Sequence, residues 1–214
     1  MPDIIFEDAH ILAVKKPVGL LSESTPQGDG LADLLQAHVK GYIGVIHRLD
    51  RGVGGVMVYA KTPQAAAHLS EQVRTREMKK EYLALGHGTL PEASGRLCDL
   101  LFHDRRINKT FVADRARKGV KEAILDYEAL RTLSSPIGEL SLLRVRLLTG
   151  RTHQVRVQLA SRSLPLVGDR KYGAPSSGPI GLFCRAITLR HPASGEELTF
   201  TADPSGKPWE LLGV

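Results

Sequence analysis

Short strand patterns outnumber helical patterns along this chain of 214 residues, and that excess constrains the fold more than any other feature. In the clearest strand, Leu143, Val145 and Leu147 alternate with arginines at the two-residue period of a half-buried sheet. Strands and helices do not alternate as a doubly wound parallel sheet requires. No repeat, low-complexity tract or clear linker divides the sequence. The pattern predicts one mixed α+β domain over residues 1–214.

Local signals predict the individual elements. The predicted strands cover a strand–turn–strand segment at Ile4–Val14 and then residues 42–46, 56–60, 79–85, 120–133, 182–190 and 197–202. Helical spacing predicts a helix over Leu31–Val39. Thr62 and Pro63 are a typical N-cap and first residue for a second helix that runs to about residue 76. Thr152 is the predicted N-cap of a third helix, from His153 to about Ser161.

Composition favours a soluble protein with a polyanionic partner. Apolar residues make up 42% of the chain, enough for a sizeable core, and the formal charge is +6. Seven basic residues stand against one acid, Asp114, between Arg105 and Lys121. This basic segment suits a phosphate backbone, although a merely solvated surface is the alternative.

Several classes of protein are disfavoured. The two cysteines, Cys98 and Cys184, lack the spacing and the histidines of a zinc site, and they do not form a disulfide framework. The first residues carry acids where a signal peptide needs basic residues, and no apolar run is long enough to span a membrane. We therefore expect a cytoplasmic protein without a metal site or a membrane segment.

The segment His47–Arg51 places one carboxylate, Asp50, between two arginines. A short apolar strand precedes it, and the glycine-rich turn Gly52–Gly55 and a second apolar strand follow it. Rigid elements on both sides would aim such a carboxylate into a cleft, while glycines allow a ligand close to the backbone. Asp50 is therefore a candidate reactive acid. The alternative is a loop aspartate paired with Arg48 or Arg51.

Two further segments carry residues suited to chemistry. Tyr82 follows Lys80 in a predicted strand and shares a face with Ala84. Farther along, the chain reads Thr-Gly-Arg-Thr-His-Gln-Val-Arg over residues 149–156. In the predicted helix, His153 and Arg156 stand three residues apart on neighbouring parts of the surface, so that both can point at one ligand.

Together these three segments resemble the RluA-type pseudouridine synthases. They match that family's H-R-L-D-R, K-x-Y and T-G-R-T-H-Q-[IL]-R stretches in order and separation, with weaker matches at residues 13–20 and 167–173. Two departures stand out. Residues 51–55 read Arg-Gly-Val-Gly-Gly where the family often has R-D-T-S-G, and Gln158 stands where a histidine is usual.

The resemblance implies both a fold and a reaction. The fold would be α+β, with a mixed, largely antiparallel sheet core and flanking helices. The reaction would convert uridine to pseudouridine in structured rRNA or tRNA without cofactor or metal, in a monomer. We expect no N-terminal S4-like RNA-binding domain, because family-like sequence begins by about Ile4.

The resemblance also assigns roles to the matched residues. Asp50 would be the catalytic carboxylate, attacking C1′ or removing a sugar proton. Tyr82 would offer its ring to the uracil and its hydroxyl to assist deprotonation at C5, with a plain core tyrosine as the alternative. Arg156 would pair with Asp50 and keep it charged and aimed in a dry pocket, a task that Arg151 could also perform.

RNA contacts are expected from five residues of these segments. Because a stacked uridine must be flipped out before it can react, Arg48 would fill the gap or hold the displaced strand. Arg51 would contact RNA, and Arg151 would contact phosphate or support the loop. His153 and Gln154 would contact RNA or support the residues that do, with a purely structural role as the alternative.

Two other classes of protein compete with this interpretation. A carbohydrate-processing hydrolase needs two carboxylates, whereas the motifs supply Asp50, with Asp169 a distant second candidate. A non-catalytic RNA-binding module would explain the basic segment, but it would leave the joint occurrence of Asp50, Tyr82 and Arg156 without a reason.

Overall fold

A computed structural model describes residues 3–26 and 28–213. Its strands are β1 Asp3–Glu7, β2 Ile11–Lys16, β3 Gly44–Val45, β4 Gly54–Ala60, β5 Lys79–His87, β6 Ser94–Asp104, β7 Lys109–Ala113, β8 Val120–Ser135, β9 Gly138–Leu147, β10 Leu182–Arg190 and β11 Glu197–Thr201. Its helices are α1 Leu31–Val39, α2 Pro63–Thr75 and α3 Gln154–Ala160. The α+β class and the largely antiparallel pairing are confirmed.

The chain forms two compact units, which we describe separately. The first unit runs to Lys80 and includes Phe183–Pro204. Its strands follow the order β1-β2-β4-β10, with β3 on β4 and β11 on β10, and the β4–β10 pair is parallel. All seven residues of β4 are buried. Strand β4 therefore lies at the centre of the core of the first unit, and burial on both faces explains its uninterrupted apolar sequence.

The second unit comprises Glu81–Leu182 and the segment from Ser205 onward. Its strands pair in the order β5-β9-β8-β6-β7, each antiparallel to its neighbour. A small apolar cluster of Leu101, Ala123 and Val157 joins β6, β8 and α3, and Tyr172 packs against it. Helix α3 is thereby held to this sheet by its apolar face.

Local signals predicted several elements well. Helix α1 has the predicted bounds, and Oγ1 of Thr62 accepts from the Ala65 N–H at 3.1 Å, which confirms the N-cap of α2. The strand predicted over residues 42–46 shrinks to Gly44–Val45. The hairpin of β6 and β7 was not predicted.

Gly55 occupies a position that only glycine tolerates. Its φ is +127°, and a Cβ atom there would lie 2.3 Å from the carbonyl oxygen of Cys184, its parallel partner in β10. Both the backbone conformation and the space exclude a side chain.

We therefore expect Gly55→Ala to lower the free energy of unfolding by at least about 2 kcal/mol, because strain and clash act together. Urea denaturation measures the loss. Gly41→Ala is the matched control, since a Cβ there meets ordinary contacts at 3.7 Å. Equal stability of the two variants would contradict this account of the β4–β10 pairing.

Candidate active site

Asp50 lies in an irregular segment of the first unit, between β3 and β4. On one side the N–H of Leu49 donates to Oγ of Ser22 at 3.0 Å, and this hydroxyl lies 2.9 Å from the Leu49 carbonyl, to which it donates. On the other side the N–H of Gly19 donates to the Arg51 carbonyl at 2.8 Å, while Nε of Arg51 donates to the Gly19 carbonyl at 2.9 Å. The backbone next to Asp50 is therefore fixed from both sides.

His47 anchors the same segment to the sheet. It is buried, and its Nε2 accepts the N–H of Val58 in β4 at 3.2 Å. Burial, with a smaller effect from the charge of Lys80, holds the pKa of His47 well below its ordinary value. A neutral ring with Nε2 as acceptor follows, so His47 acts as a structural anchor rather than a cation.

A buried ammonium lies close to Asp50. Lys16, at the end of β2, is 0% exposed, and its Nζ donates to the carbonyls of Pro17 at 3.0 Å and Leu20 at 2.7 Å. Burial lowers the pKa of Lys16 to about 8, and the negative charge of Asp50 opposes this shift. Lys16 therefore holds the loop that contacts Arg51, the residue after Asp50, and its charge interacts with the Asp50 carboxylate.

Arg48 is the exposed member of the first motif. Its guanidinium donates to Glu23 at 2.7 Å, at a cavity of about 300 Å³ that both residues line with Val45, Ile46 and His47. The Arg48 side chain is 67% exposed. Such an exposed ion pair contributes about 0–1 kcal/mol, so that a phosphate can replace Glu23 at little cost.

Tyr82 and the third motif belong to the second unit. Tyr82 is 6% exposed and lies opposite Val145 in the β5–β9 pair. Ala84, two residues farther on, is buried as well. The predicted strand is confirmed, and the face that Tyr82 shares with Ala84 is buried.

The loop before α3 is organised by Gln154. Its Oε1 accepts the Arg151 N–H at 3.0 Å and contacts the Thr149 hydroxyl at 2.9 Å, while its Nε2 donates to the Ile124 carbonyl at 3.1 Å. Arg151 in turn donates from Nε to the Glu122 carbonyl at 2.8 Å. An RNA contact from Gln154 would have to replace these bonds, whereas a framework role uses them as they stand.

Arg156 points into a buried ion pair. Its Nε donates to Oδ2 of Asp169 at 2.6 Å and its Nη2 to Oδ1 at 2.8 Å, and the two side chains are 7% and 1% exposed. A bidentate pair of this kind fixes the plane of the guanidinium. Sequence analysis named Asp169 only as a distant second candidate for a catalytic carboxylate. It did not predict the ion pair between Asp169 and Arg156.

The predicted N-cap of the third helix is wrong. Helix α3 begins at Gln154, its N-cap is His153 with φ of 54°, and no side chain caps it. The Thr152 carbonyl accepts from the Thr110 hydroxyl at 2.8 Å.

His153, which precedes the first residue of α3, and Arg156 both contact one residue, Tyr172. Nδ1 of His153 lies 2.8 Å from the Tyr172 hydroxyl, and Cζ of Arg156 lies 5.1 Å from the ring centroid.

Sequence reasoning missed Lys16 and Tyr172 at these sites, and it named Asp169 only as a second carboxylate, without its pairing to Arg156. All three fall in the weaker family matches that flank the main motifs, at residues 13–20 and 167–173. Their position in these flanking matches was the sequence signal that could have identified them. A single sequence does not say which of their polar side chains turn inward.

The basic segment between Arg105 and Lys121 forms the turn of the β6–β7 hairpin, strand β7 and the loop that leads to β8. We call this region the basic arm. Phe111 and Val112 are exposed on it, and Cζ of Arg117 lies 5.6 Å from the ring centroid of Phe102. Exposed aromatic and cationic groups on one hairpin offer both stacking and charge to a nucleic acid.

The described residues contain neither a group of metal-binding side chains nor a membrane-spanning helix. Between residues 3 and 213, with residue 27 left aside, no group of three or more histidine, cysteine or acidic side chains could hold a metal ion. Over the same residues no helix is long and apolar enough to cross a membrane.

Comparison with known proteins gives these segments a context. A family profile described as RNA pseudouridylate synthase matches residues 10–161. The chain is 33% identical to the dual-specificity RNA pseudouridine synthase RluA of Haemophilus influenzae, over 94% of this chain and 92% of that protein. It is 32% identical to ribosomal large subunit pseudouridine synthase D of Xanthomonas campestris, and it spans 65% of that longer protein's length.

A solved structure shares the fold. Human RNA pseudouridylate synthase domain containing 1 superposes with a TM-score of 0.79 at 22% identity, covering 95% of this chain and 84% of that one. The fold and the motifs define an RNA-modifying isomerase of the pseudouridine synthase class. Within that class, the chain belongs to the RluA-type family of RNA pseudouridine synthases.

Two desolvated lysines, the buried Lys16 and the partly exposed Lys80, predict how stability depends on pH. Burial lowers the pKa values of Lys16 and Lys80 to about 8 from 10.5, so between these values the unfolded chain binds more protons than the folded one. Stability should therefore rise from pH 8 towards pH 9.5, by up to about 1.4 kcal/mol per pH unit for each lysine. Above pH 10, ionisation of Tyr59 in the unfolded chain opposes this rise, because burial raises its pKa in the fold.

Urea midpoints at pH 7, 8, 9 and 9.5 measure this slope. Lys16→Met should remove about half of it. Lys15→Met is the control at the neighbouring position and should leave the slope intact. A wild-type stability that falls over this range would overturn the assignment of two desolvated lysines.

Proposed function

We propose that this enzyme isomerises specific uridines in structured rRNA or tRNA, with Asp50 as its catalytic carboxylate and without cofactor. The N1–C1′ bond breaks, the uracil turns and a C5–C1′ bond forms. C5 loses a proton and N1 gains one, so that the product is an isomer of the substrate. Asp50 acts at the sugar, either by attack at C1′ or by removal of a sugar proton.

One observation supports this role above all: hydrogen bonds fix the backbone of both neighbours of Asp50, Leu49 and Arg51. The charge of the buried Lys16 also interacts with the carboxylate. A fixed, charged nucleophile or base loses little entropy when the reaction begins.

Tyr82 and Arg156 complete the proposed catalytic set. We propose that the Tyr82 ring lies against the uracil and that the Arg156 guanidinium keeps Asp50 ionised once water is excluded. The order and spacing of the three motifs support this grouping. The ion pair with Asp169 also fixes the plane of the Arg156 guanidinium.

The proposed RNA contacts come from Arg48, Arg51 and Arg151, with His153 and Gln154 at the edge of the same motif, and from the basic arm. Arg48 is largely exposed and can exchange Glu23 for phosphate. We also propose that the enzyme is cytoplasmic and monomeric and that residues 1–214 act as one catalytic domain. The absence of a disulfide between Cys98 and Cys184, the two cysteines of the chain, supports a reducing compartment.

Asp50→Asn should abolish pseudouridine formation and leave a folded protein that still binds RNA, because the amide can neither attack C1′ nor take a sugar proton. Mass spectrometry of RNA after incubation measures the product. Asp3→Asn makes the same chemical change at an exposed strand end and should keep wild-type activity. Turnover by Asp50→Asn above about one per cent of wild type would refute the assignment, since loss of a catalytic group normally costs far more.

Replacement of Arg115, Arg117 and Lys118 together by alanine should raise the dissociation constant for RNA and flatten its dependence on salt. The slope of log Kd against log salt should fall by about 0.7 to 0.9 for each phosphate that the variant no longer neutralises. Filter binding at several salt concentrations measures it. A control triple variant with alanine at Lys40, Arg74 and Lys79, all exposed in the first unit, removes the same charge. Equal slopes for both triple variants would mean that the basic arm is only a solvated surface.

A further inference from the structure

One short turn supplies two different partners to the same guanidinium. Asp169 forms the bidentate pair with Arg156, and a single 3-10 turn over Arg170–Tyr172 follows it. That turn brings the ring of Tyr172 to 5.1 Å from Cζ of Arg156. A carboxylate therefore fixes the edge of the guanidinium while an aromatic ring lies against it.

The hydroxyl of Tyr172 makes a separate set of contacts. It accepts the backbone N–H of Thr110, in β7, at 2.8 Å. Because it accepts there, its proton can be donated to Nδ1 of His153, which also lies 2.8 Å away. Thr110 is 1% exposed, and its own hydroxyl donates to the Thr152 carbonyl at 2.8 Å. The hydroxyl thus joins the base of the basic arm to the residues that lead into α3.

The two parts of Tyr172 therefore face two different parts of the second unit. The ring meets Arg156, and it also has Nζ of Lys109, from β7, at 5.6 Å. The hydroxyl meets the backbone of the arm and the motif histidine. A tyrosine that served only to fill the core would pack equally well without its hydroxyl and would have no reason to lie against two cations.

We propose that Tyr172 is a positioning residue that couples RNA binding by the basic arm to the orientation of Arg156. Its ring orients the guanidinium for the reaction, and its hydroxyl holds the arm at the angle that RNA requires. The inference rests on the proposed function, in which Arg156 serves the catalytic carboxylate and the arm binds RNA.

Two substitutions separate the ring from the hydroxyl. Tyr172→Phe keeps the ring but leaves the buried Thr110 N–H without its acceptor, and it should raise the Kd for RNA about fivefold, the effect of one hydrogen bond. Tyr172→Leu also removes the ring. Its single-turnover rate at saturating RNA should lie at least about tenfold below that of Tyr172→Phe, because the guanidinium loses its aromatic contact. The readouts are Kd by filter binding and the single-turnover rate.

Tyr127→Phe is the matched control. Tyr127 is a buried tyrosine of β8 in the same unit, and its hydroxyl donates to the Glu92 carbonyl at 3.3 Å, away from Arg156 and the arm. It should change neither Kd nor rate. Equal rates for Tyr172→Phe and Tyr172→Leu at saturating RNA would overturn the role of the ring, whatever their melting temperatures.

A double-mutant cycle tests whether the hydroxyl acts through the arm. In the background with alanine at Arg115, Arg117 and Lys118, Tyr172→Phe should raise Kd by less than about twofold, because the arm no longer contributes its contacts. A full fivefold increase in that background would overturn the coupling. Wild-type protein that forms no pseudouridine would contradict the proposed function instead, and the binding cycle would still decide the coupling.

Discussion

The buried guanidinium of Arg156 imposes a constraint that organises much of the second unit. Removing an arginine from water costs several kcal/mol unless a well-placed partner compensates, and breaking such a pair would leave an uncompensated charge in the interior. Asp169 supplies the compensation through two parallel hydrogen bonds. The carboxylate must therefore stand in one plane with the guanidinium. This requirement fixes the chain that follows α3 and, with it, the turn that carries Tyr172.

The first unit applies the same principle to a different charge. Lys16 is as deeply buried as Arg156, but its ammonium is compensated by two backbone carbonyls and by the nearby negative charge of Asp50. Carbonyl groups can satisfy the hydrogen bonds of an ammonium without neutralising it. The positive charge therefore stays available to the carboxylate, and the loop that supplies the carbonyls is also the one whose Gly19 contacts Arg51, next to Asp50. Burial of one lysine thus serves both the fold and the electrostatics of the proposed site.

The predictable parts of this structure are those governed by neighbouring residues. Thr62 and Pro63 predict the start of α2, and the apolar spacing predicts both ends of α1. Both predictions succeed because capping and amphipathicity depend on residues within one or two turns. Contacts between distant residues escaped this reasoning. The Thr110 hydroxyl, for example, donates to the Thr152 carbonyl from 42 residues away, and no local pattern predicts that contact. The motifs named Asp50, Tyr82 and Arg156 as candidates, but no local pattern could assign Asp169 to Arg156.

Three of the departures from the family's motifs, Val53, Gly54 and Gln158, lie at buried positions. At Gly54 a Cβ atom would lie 3.2 Å from both the Lys16 carbonyl and a methyl group of Val18, and the neighbouring Val53 is 1% exposed. Gln158 is fully buried and donates to Asp99 at 2.7 Å, a carboxylate that also pairs with Arg162. These substitutions adjust interior contacts of strands and helices. Because none of them replaces a group with a proposed role in bond making or proton transfer, a chain can carry all of them and retain the family's chemistry.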